Sequence, residues 1–363
     1  MNKIYQHNVH FDFMSRAFEL AKLGRNSVSP NPMVGCVLVK NGEIIGEGYH
    51  QQYGGAHAEV NAISNSITDP VDATAYVTME PCNITGNTPP CTKLLIENGI
   101  AEVYIAMRDP NPEVNGNGIR ELQEAGIMVH PEILEDEAVE LNKAYIKKAT
   151  TGRPFVIAKV AESSDGYLGI DSETQTQITN KDAIIDVHKL RAEVDAVLIG
   201  KQTALVDNPK LTVREVSGQN PIRVISDTYR TLPLNLEIFR DQKAETIVLC
   251  SAKLYHPNKT TYCRYLTIKE ENNKLSPDHI LLTLAKEGIN SLMIEGGAKL
   301  LKSFFDEDLI DEVFVYTSSQ SLNNANLKNP LVLNEDWELI ETRQLGQDKL
   351  KISRKKKVCL QES

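Results

Sequence analysis

The sequence predicts a two-domain α/β protein, and three observations carry that expectation. The chain has 363 residues, about twice the ~150 typical of one domain. Strand-like and helix-like patterns alternate along most of it, the signature of a sheet covered by helices. The alternation breaks at Thr150-Thr151-Gly152-Arg153-Pro154 and then restarts, as a linker between domains would make it do. The expected domains are residues 1–149 and 153–363.

In the first half, Met14, Ala17, Phe18 and Ala21 fall at i, i+3, i+4 and i+7, the stripe of a helix with one buried face. Gly24 is a plausible stop. Val34 to Lys40 and Ile44 to Gly48 flank Asn41-Gly42, a strong hairpin signal. A helix near His57, a strand at Ala75 to Met79 and a helix from about Thr92 follow. A strand at Glu102 to Ala106, a helix at Ile119 to Ala125 and a short strand at Ile127 to His130 complete the half. An opening hairpin followed by this alternation implies a mixed sheet with helices on both faces. Past the linker, strands are expected at Phe155 to Val160, Ala196 to Gly200, Ile222 to Ser226, Thr246 to Cys250, Ser291 to Ile294 and Glu312 to Tyr316. A helix is expected over Asp182 to Arg191.

Lys and Arg total 39 against 49 Asp and Glu, a formal net charge of −10. That balance argues against a nucleic-acid partner. Arg354-Lys355-Lys356-Lys357 is the one basic run and reads as a solvated strand end. With 41 % hydrophobic and 24 % charged residues the chain is of globular composition. No apolar run nears the ~18 residues of a membrane span, and the polar N-terminus has no secretory h-region. The expectation is a cytoplasmic protein. Six cysteines are too few for a disulfide scaffold; Cys36, Cys250, Cys263 and Cys359 are scattered, and most read as small buried hydrophobes. Cys82 and Cys91 differ, because each follows a proline and they lie close together.

His57-Ala58-Glu59, Pro81-Cys82 and Pro89-Pro90-Cys91 supply one imidazole and two thiolates. Three such ligands with an open fourth position describe a catalytic zinc site. Zinc so held lowers the pKa of bound water and makes hydroxide available near neutral pH. At a helix N-terminus His57 and Glu59 can converge on a site beyond the helix end. Glu59 is then the proton carrier rather than a ligand. The zinc-deaminase signature is His-x-Glu followed by Pro-Cys-x-x-Cys, whereas eight residues separate the cysteines here.

Ser29-Pro30-Asn31-Pro32-Met33-Val34-Gly35, Gly48-Tyr49-His50, His57-Ala58-Glu59, Thr88-Pro89-Pro90-Cys91 and Arg108-Asp109-Pro110-Asn111-Pro112 together resemble the bifunctional riboflavin-biosynthesis deaminase–reductases. The resemblance implies a cytidine-deaminase-like α/β/α first domain, and the long loop between the cysteines looks like that family's own variant. It also implies that Asn31 and His50 line a pyrimidine pocket; on local sequence alone Asn31 reads equally as a turn residue between prolines.

The resemblance continues through Arg153-Pro154-Phe155, Lys159, Val187-His188-Lys189-Leu190-Arg191-Ala192, Asp207-Asn208-Pro209, Leu211-Thr212-Val213-Arg214 and Glu295-Gly296-Gly297. It implies a second domain similar to dihydrofolate reductase, which takes hydride from NADPH to reduce a ribosylamino side chain to ribitylamino. Glu295-Gly296-Gly297 ends an apolar strand ahead of a helical stretch, where glycines let N–H groups approach a phosphate; on local sequence alone an ordinary turn is the alternative. Arg191 and Arg214 suit a sugar phosphate, with surface ion pairs as the alternative. By resemblance, Ala161, Gln177, Thr203, Asp207, Gly296 and Gly297 lie on the cofactor side. Lys159, Gln175, Arg191, Leu211, Arg214 and Glu295 lie on the substrate side by the same resemblance. Capping or turn roles remain open for Thr203 and Asp207, and snorkelling at a strand edge for Lys159. His188 reads as structural.

In the first half two positions depart from the family pattern, Ile84 where His is usual and Asn87 where Arg or Lys is usual; in the second, Gln177 stands where an aromatic residue is common, which leaves local cofactor packing open. Losing a cation on a substrate phosphate costs about 1.5–3 kcal/mol. The reading is therefore a deaminase plus NADPH reductase acting on a pyrimidine ribose phosphate, with Zn2+ and NADPH as cofactors. A homodimer through the second domain is implied by the resemblance. The alternative is a reductase with a weakened or retuned deaminase half. A non-catalytic nucleic-acid binder with a structural zinc would need a fourth protein ligand and a basic surface.

Overall fold

The computed structural model describes residues 9–85, 89–169, 178–254, 262–322 and 325–356. The chain divides into two compact units, Met1–Gly152 and Arg153–Ser363.

The first unit opens with α1 (Val9–Lys22), the hairpin β1 (Gly35–Lys40) and β2 (Glu43–Tyr49), then α2 (Ala58–Ser64) and β3 (Thr74–Val77). It continues with α3 (Cys91–Glu97), β4 (Glu102–Ile105), α4 (Asn117–Glu124), β5 (Met128–His130), α5 (Glu135–Leu141) and α6 (Lys143–Thr151). The hairpin turns at Asn41 and Gly42, with φ of 53° and 80°, the paired left-handed conformation that favours Asn-Gly there. Strand order is β2-β1-β3-β4-β5; β1 is antiparallel to both neighbours, and β3, β4 and β5 are parallel.

Side chains alternate across this sheet. Cys36, Leu38, Val77 and Ile105 join the core under α2, α3 and α4, while Val37, Val39 and Tyr76 pack against α1, α5 and α6. Helices therefore cover both faces, as expected. α2 lies directly on β2 because Gly48 has no side chain; a Cβ there would fall 2.2 Å from the Ala62 nitrogen. α6 runs on through Thr151 and stops at Gly152, which takes the left-handed conformation (φ 70°), so the break between units is shorter than the five-residue linker read from the sequence.

The second unit contains β6 (Phe155–Glu162), β7 (Tyr167–Gly169), α7 (Lys181–Arg191), β8 (Ala196–Gly200), α8 (Lys201–Asp207), β9 (Ile222–Ser226), α9 (Glu237–Arg240), β10 (Thr246–Ser251) and β11 (Arg264–Ile268). It closes with β12 (Glu270–Glu271), β13 (Lys274–Leu275), α10 (Pro277–Lys286), β14 (Ser291–Glu295), α11 (Ala298–Asp306), β15 (Glu312–Thr317), β16 (Leu327–Lys328), β17 (Trp337–Leu345) and β18 (Asp348–Lys355). Its main sheet has the order β11-β10-β9-β8-β14-β6-β15-β18-β17. β11 through β15 in that order run parallel, and β18 and β17 add an antiparallel end. Val156, Leu198, Leu292 and Ile294 form the centre of the core with Leu284 and Phe304 of α10 and α11. In such a sheet ligands bind beyond the carboxyl ends of the parallel strands. Those ends carry Glu295-Gly296-Gly297 after β14 and the start of α8 after β8.

Of the basic run, Arg354 pairs with the buried Glu312 and Lys355 with Asp308. Lys357 lies outside the described residues.

Candidate active sites

The first site gathers where two helices start. His57 is the residue before α2, in extended conformation, and Cys91 opens α3 after Pro90. Cys82 comes from the loop beyond β3. The ligand atoms of His57, Cys82 and Cys91 lie within 4.8 Å of one another. His57 presents Nδ1, 3.2 Å from Cys91 Sγ and 3.5 Å from Cys82 Sγ. Among the described residues this is the one group of three or more His, Cys, Asp and Glu side chains able to hold a metal.

The donor set fits zinc. The Cys82 thiol is held low by the hydrogen bond from Cys91 and by His57. The Cys91 thiol is pushed up by that same hydrogen bond, by burial and by the charge of Glu59. The protein by itself thus favours one thiolate of the two, and a dication is what makes both acceptable.

Glu59, in the first turn of α2, is buried at 3 % exposure. Burial, and then the Cys82 sulfur, raise its pKa, as suits a group that must take up and release a proton. Asn31 and His50 also meet: Asn31 Nδ2 is 3.1 Å from His50 Nε2, and His50 Nδ1 donates to the Ala56 carbonyl at 3.0 Å. These bonds fix the neutral tautomer, with the proton on Nδ1. Burial, with His57 nearby, lowers the His50 pKa. The His50 ring stands edge-on to His57 with centroids 5.5 Å apart, so Asn31 borders the metal group rather than serving only as a turn residue. Ile84 is half-buried; Asn87 lies outside the described residues.

The second site lies at the carboxyl ends of β14, β6 and β8. Glu295 ends β14 opposite Lys159 of β6. Arg191 ends α7 and grips Glu295 at both oxygens, Nε to Oε2 at 2.9 Å and Nη2 to Oε1 at 2.6 Å. Lys159 Nζ is 3.5 Å from Oε1. β6 is an interior strand between β14 and β15, so snorkelling at a sheet edge does not explain Lys159. Burial alone would raise the Glu295 pKa, but Arg191 and Lys159 outweigh it and hold it at about 2. Arg191 is likewise no surface ion pair, since its side chain is 11 % exposed.

Gly296 and Gly297, with φ of 83° and 80°, lead into α11. A Cβ on either would stand 3.2–3.4 Å from Thr203 of α8, so these three residues share one place. Asp207 ends α8 half-buried; burial and the charge of Glu295 raise its pKa. Ala161 lies two residues beyond Lys159 on β6 and so on the same face. Leu211 is buried with φ of 50°, a strained conformation for a branched side chain. Arg214 has a half-exposed side chain, and its N–H donates to Nδ1 of the buried His188 at 3.2 Å; His188 is structural here. Gln175 and Gln177 lie outside the described residues.

Two family models match the chain. That for the cytidine and deoxycytidylate deaminase zinc-binding region covers residues 7–107, and that for the RibD C-terminal domain covers residues 154–348. The riboflavin biosynthesis protein RibD of Escherichia coli (strain K12) is 39 % identical over 326 residues, 86 % of this chain and 88 % of that one. The RibD of Actinobacillus pleuropneumoniae is 36 % identical over 324 residues, 88 % and 86 % of the two chains. The chain belongs to the RibD family.

Among solved structures, the Thermotoga maritima diaminohydroxyphosphoribosylaminopyrimidine deaminase/5-amino-6-(5-phosphoribosylamino)uracil reductase superposes with a TM-score of 0.86 at 36 % identity, covering 97 % of this chain and all of that one. Acinetobacter baumannii RibD gives 0.85 at 35 %, covering 96 % and 99 %. As a RibD protein, the chain is a bifunctional deaminase and reductase of riboflavin biosynthesis, with zinc and NADPH as cofactors. Among the described residues no helix is long and apolar enough to cross a membrane.

Sequence reasoning missed Glu80, Thr92 and Glu121 around the cysteines, and the Tyr316–Asp186–Arg343 network that ties α7 to β15 and β17. Glu80 directly precedes Pro81-Cys82, the one signal that could have drawn attention to it. The others are joined across 29 to 157 residues and carry no local pattern.

Proposed function

We propose that the first unit deaminates a diaminohydroxy-phosphoribosylamino-pyrimidine and that the second reduces the ribosyl chain of the deaminated product to ribityl. The cluster of His57, Cys82 and Cys91 donor atoms within 4.8 Å, beside a buried Glu59, carries the reading. The three residues hold zinc, which when bound supplies a water acidic enough to act as nucleophile near neutral pH. Glu59 takes a proton from the attacking water and delivers it toward the leaving amine, so that ammonia departs neutral. Asn31, held in place by the neutral His50, orients the pyrimidine by hydrogen bonds.

In the second unit NADPH, when bound, supplies the hydride. Gly296 and Gly297, with Thr203, Asp207 and Ala161, line its side of the site; the absence of a Cβ at the two glycines leaves backbone N–H groups approachable. Lys159, Arg191, Leu211, Arg214 and Glu295 line the substrate side. Arg191 meets a sugar phosphate through guanidinium edges not already committed to Glu295, with Arg214 as the second cation. The enzyme works in the cytoplasm as a homodimer joined through its second unit.

The test is a coupled one on purified full-length protein. Ammonia should be released from the diaminopyrimidine phosphate, and NADPH should be oxidised when the deaminated product is supplied. Silence in both assays would refute the reading.

A further inference from the structure

Beyond its zinc ligands, the first unit holds two carboxylates, the buried Glu80 and the half-buried Glu121, whose hydrogen bonds go to neither metal donor nor proton path. Glu80 is 4 % exposed. Its Oε2 accepts the N–H of Gly116 at 2.9 Å and of Asp109 at 3.3 Å, and its Oε1 accepts that of Ile119 at 3.1 Å. These donors belong to the loop before α4 and to its first turn. Gly118, in the same turn, lies so close that a Cβ would fall 2.2 Å from the Pro81 carbonyl oxygen. The segment carrying Cys82 is therefore pressed onto α4 and tied there.

The other cysteine is tied to the same helix. Thr92, next to Cys91, is fully buried. Its N–H donates to the Cys82 carbonyl at 3.2 Å. Its hydroxyl donates to Glu121 Oε2 of α4 at 2.9 Å and stands 3.4 Å from that same carbonyl. One helix thus fixes both sulfur-bearing segments, by Glu80 at its start and by Glu121 through Thr92 further along.

We propose that α4 is a brace for the metal centre, and that Glu80, Thr92 and Glu121 are positioning residues which hold Cys82 and Cys91 at metal-binding separation. The inference rests on the zinc reading of His57, Cys82 and Cys91. Metal binding needs both sulfurs close together as thiolates, which repel each other, so a scaffold that keeps their segments converged removes an ordering cost from metal binding. Groups that orient metal ligands without touching the metal are typically worth 10- to 100-fold in affinity. Replacing Glu80 by Gln turns one acceptor oxygen into an N–H donor that faces other N–H donors. Replacing Thr92 by Val keeps its shape and removes the hydroxyl link; Ser keeps the link.

The experiment follows zinc transfer from the full-length zinc-loaded protein to a chromogenic chelator, with NADPH-dependent reductase turnover measured on the same samples. Glu80→Gln and Thr92→Val should release zinc about 10- to 100-fold faster than wild type. Thr92→Ser should stay near wild type, and reductase turnover should not move. Release from Thr92→Val at the wild-type rate would overturn the proposal, as would equal loss from Thr92→Val and Thr92→Ser. The Thr92 pair decides the matter even where Glu80→Gln does not fold. A wild-type chain that holds no zinc would instead overturn the zinc reading, and the brace with it.

Discussion

Arg191 and Glu295, 104 residues apart, meet as a bidentate ion pair in which both side chains are about nine-tenths buried. The pair joins the end of α7 to the end of β14, and Lys159 approaches the same carboxylate from β6. Removing one partner of such a pair leaves a buried charge uncompensated, at a cost of about 3–5 kcal/mol. Glu295→Gln should therefore destabilise the second unit by on the order of 3 kcal/mol. The single tryptophan, Trp337, lies in β17 of that unit, so its fluorescence in a denaturant titration reports the change directly. An unaltered midpoint would show that the pair does not hold the unit together.

His188 gives the second unit a pH dependence. Its burial, and then Arg191 and Arg214, lower its pKa from 6.5 to about 4. Between those values the unfolded chain takes up a proton that the folded chain refuses. The stabilisation is thus complete above pH 6.5 and is lost progressively as pH falls toward 4. From pH 6.5 to 5 this amounts to on the order of 2 kcal/mol. Trp337 unfolding curves at several pH values should show that slope in the wild type and a shallower one in His188→Gln.

Glu59 makes a sharper demand on the first unit. Glu59→Gln keeps the size of the side chain and abolishes its proton transfer. Ammonia release should fall by roughly 10²–10⁴-fold, while zinc content and NADPH oxidation stay at wild-type level. Deamination that persists near the wild-type rate would assign the proton to another group.

The family resemblance implies that Asn87 stands where a cation is usual. If that loss weakens phosphate binding, Asn87→Lys should lower the deaminase KM for the phosphorylated pyrimidine by roughly tenfold or more, the equivalent of about 1.5–3 kcal/mol. The KM for the dephosphorylated analogue should not change. Equal shifts with both substrates would show that position 87 does not sense the phosphate.

Local chemistry made much of this molecule legible in its sequence. Asn41-Gly42 announced the hairpin because few other residues accept its two left-handed conformations. Ala196 to Gly200 read as a strand because interior parallel strands are apolar throughout. The metal donors were visible because zinc chemistry restricts residue types so strongly. What stayed hidden depends on distant contact. Nothing near Arg191 names Glu295 as its partner, and nothing near Lys159 shows that its strand is interior. β17 escaped notice because it is largely exposed and has no clean alternation. Glu80 looks like any acidic residue until α4 folds against it.

The most direct test is the zinc content of the purified full-length chain beside that of Cys82→Ser. Wild type should carry one equivalent of zinc per chain, and Cys82→Ser should lose both the metal and ammonia release while still oxidising NADPH. Stoichiometric zinc retained by Cys82→Ser, or deamination by a metal-free wild type, would contradict the account.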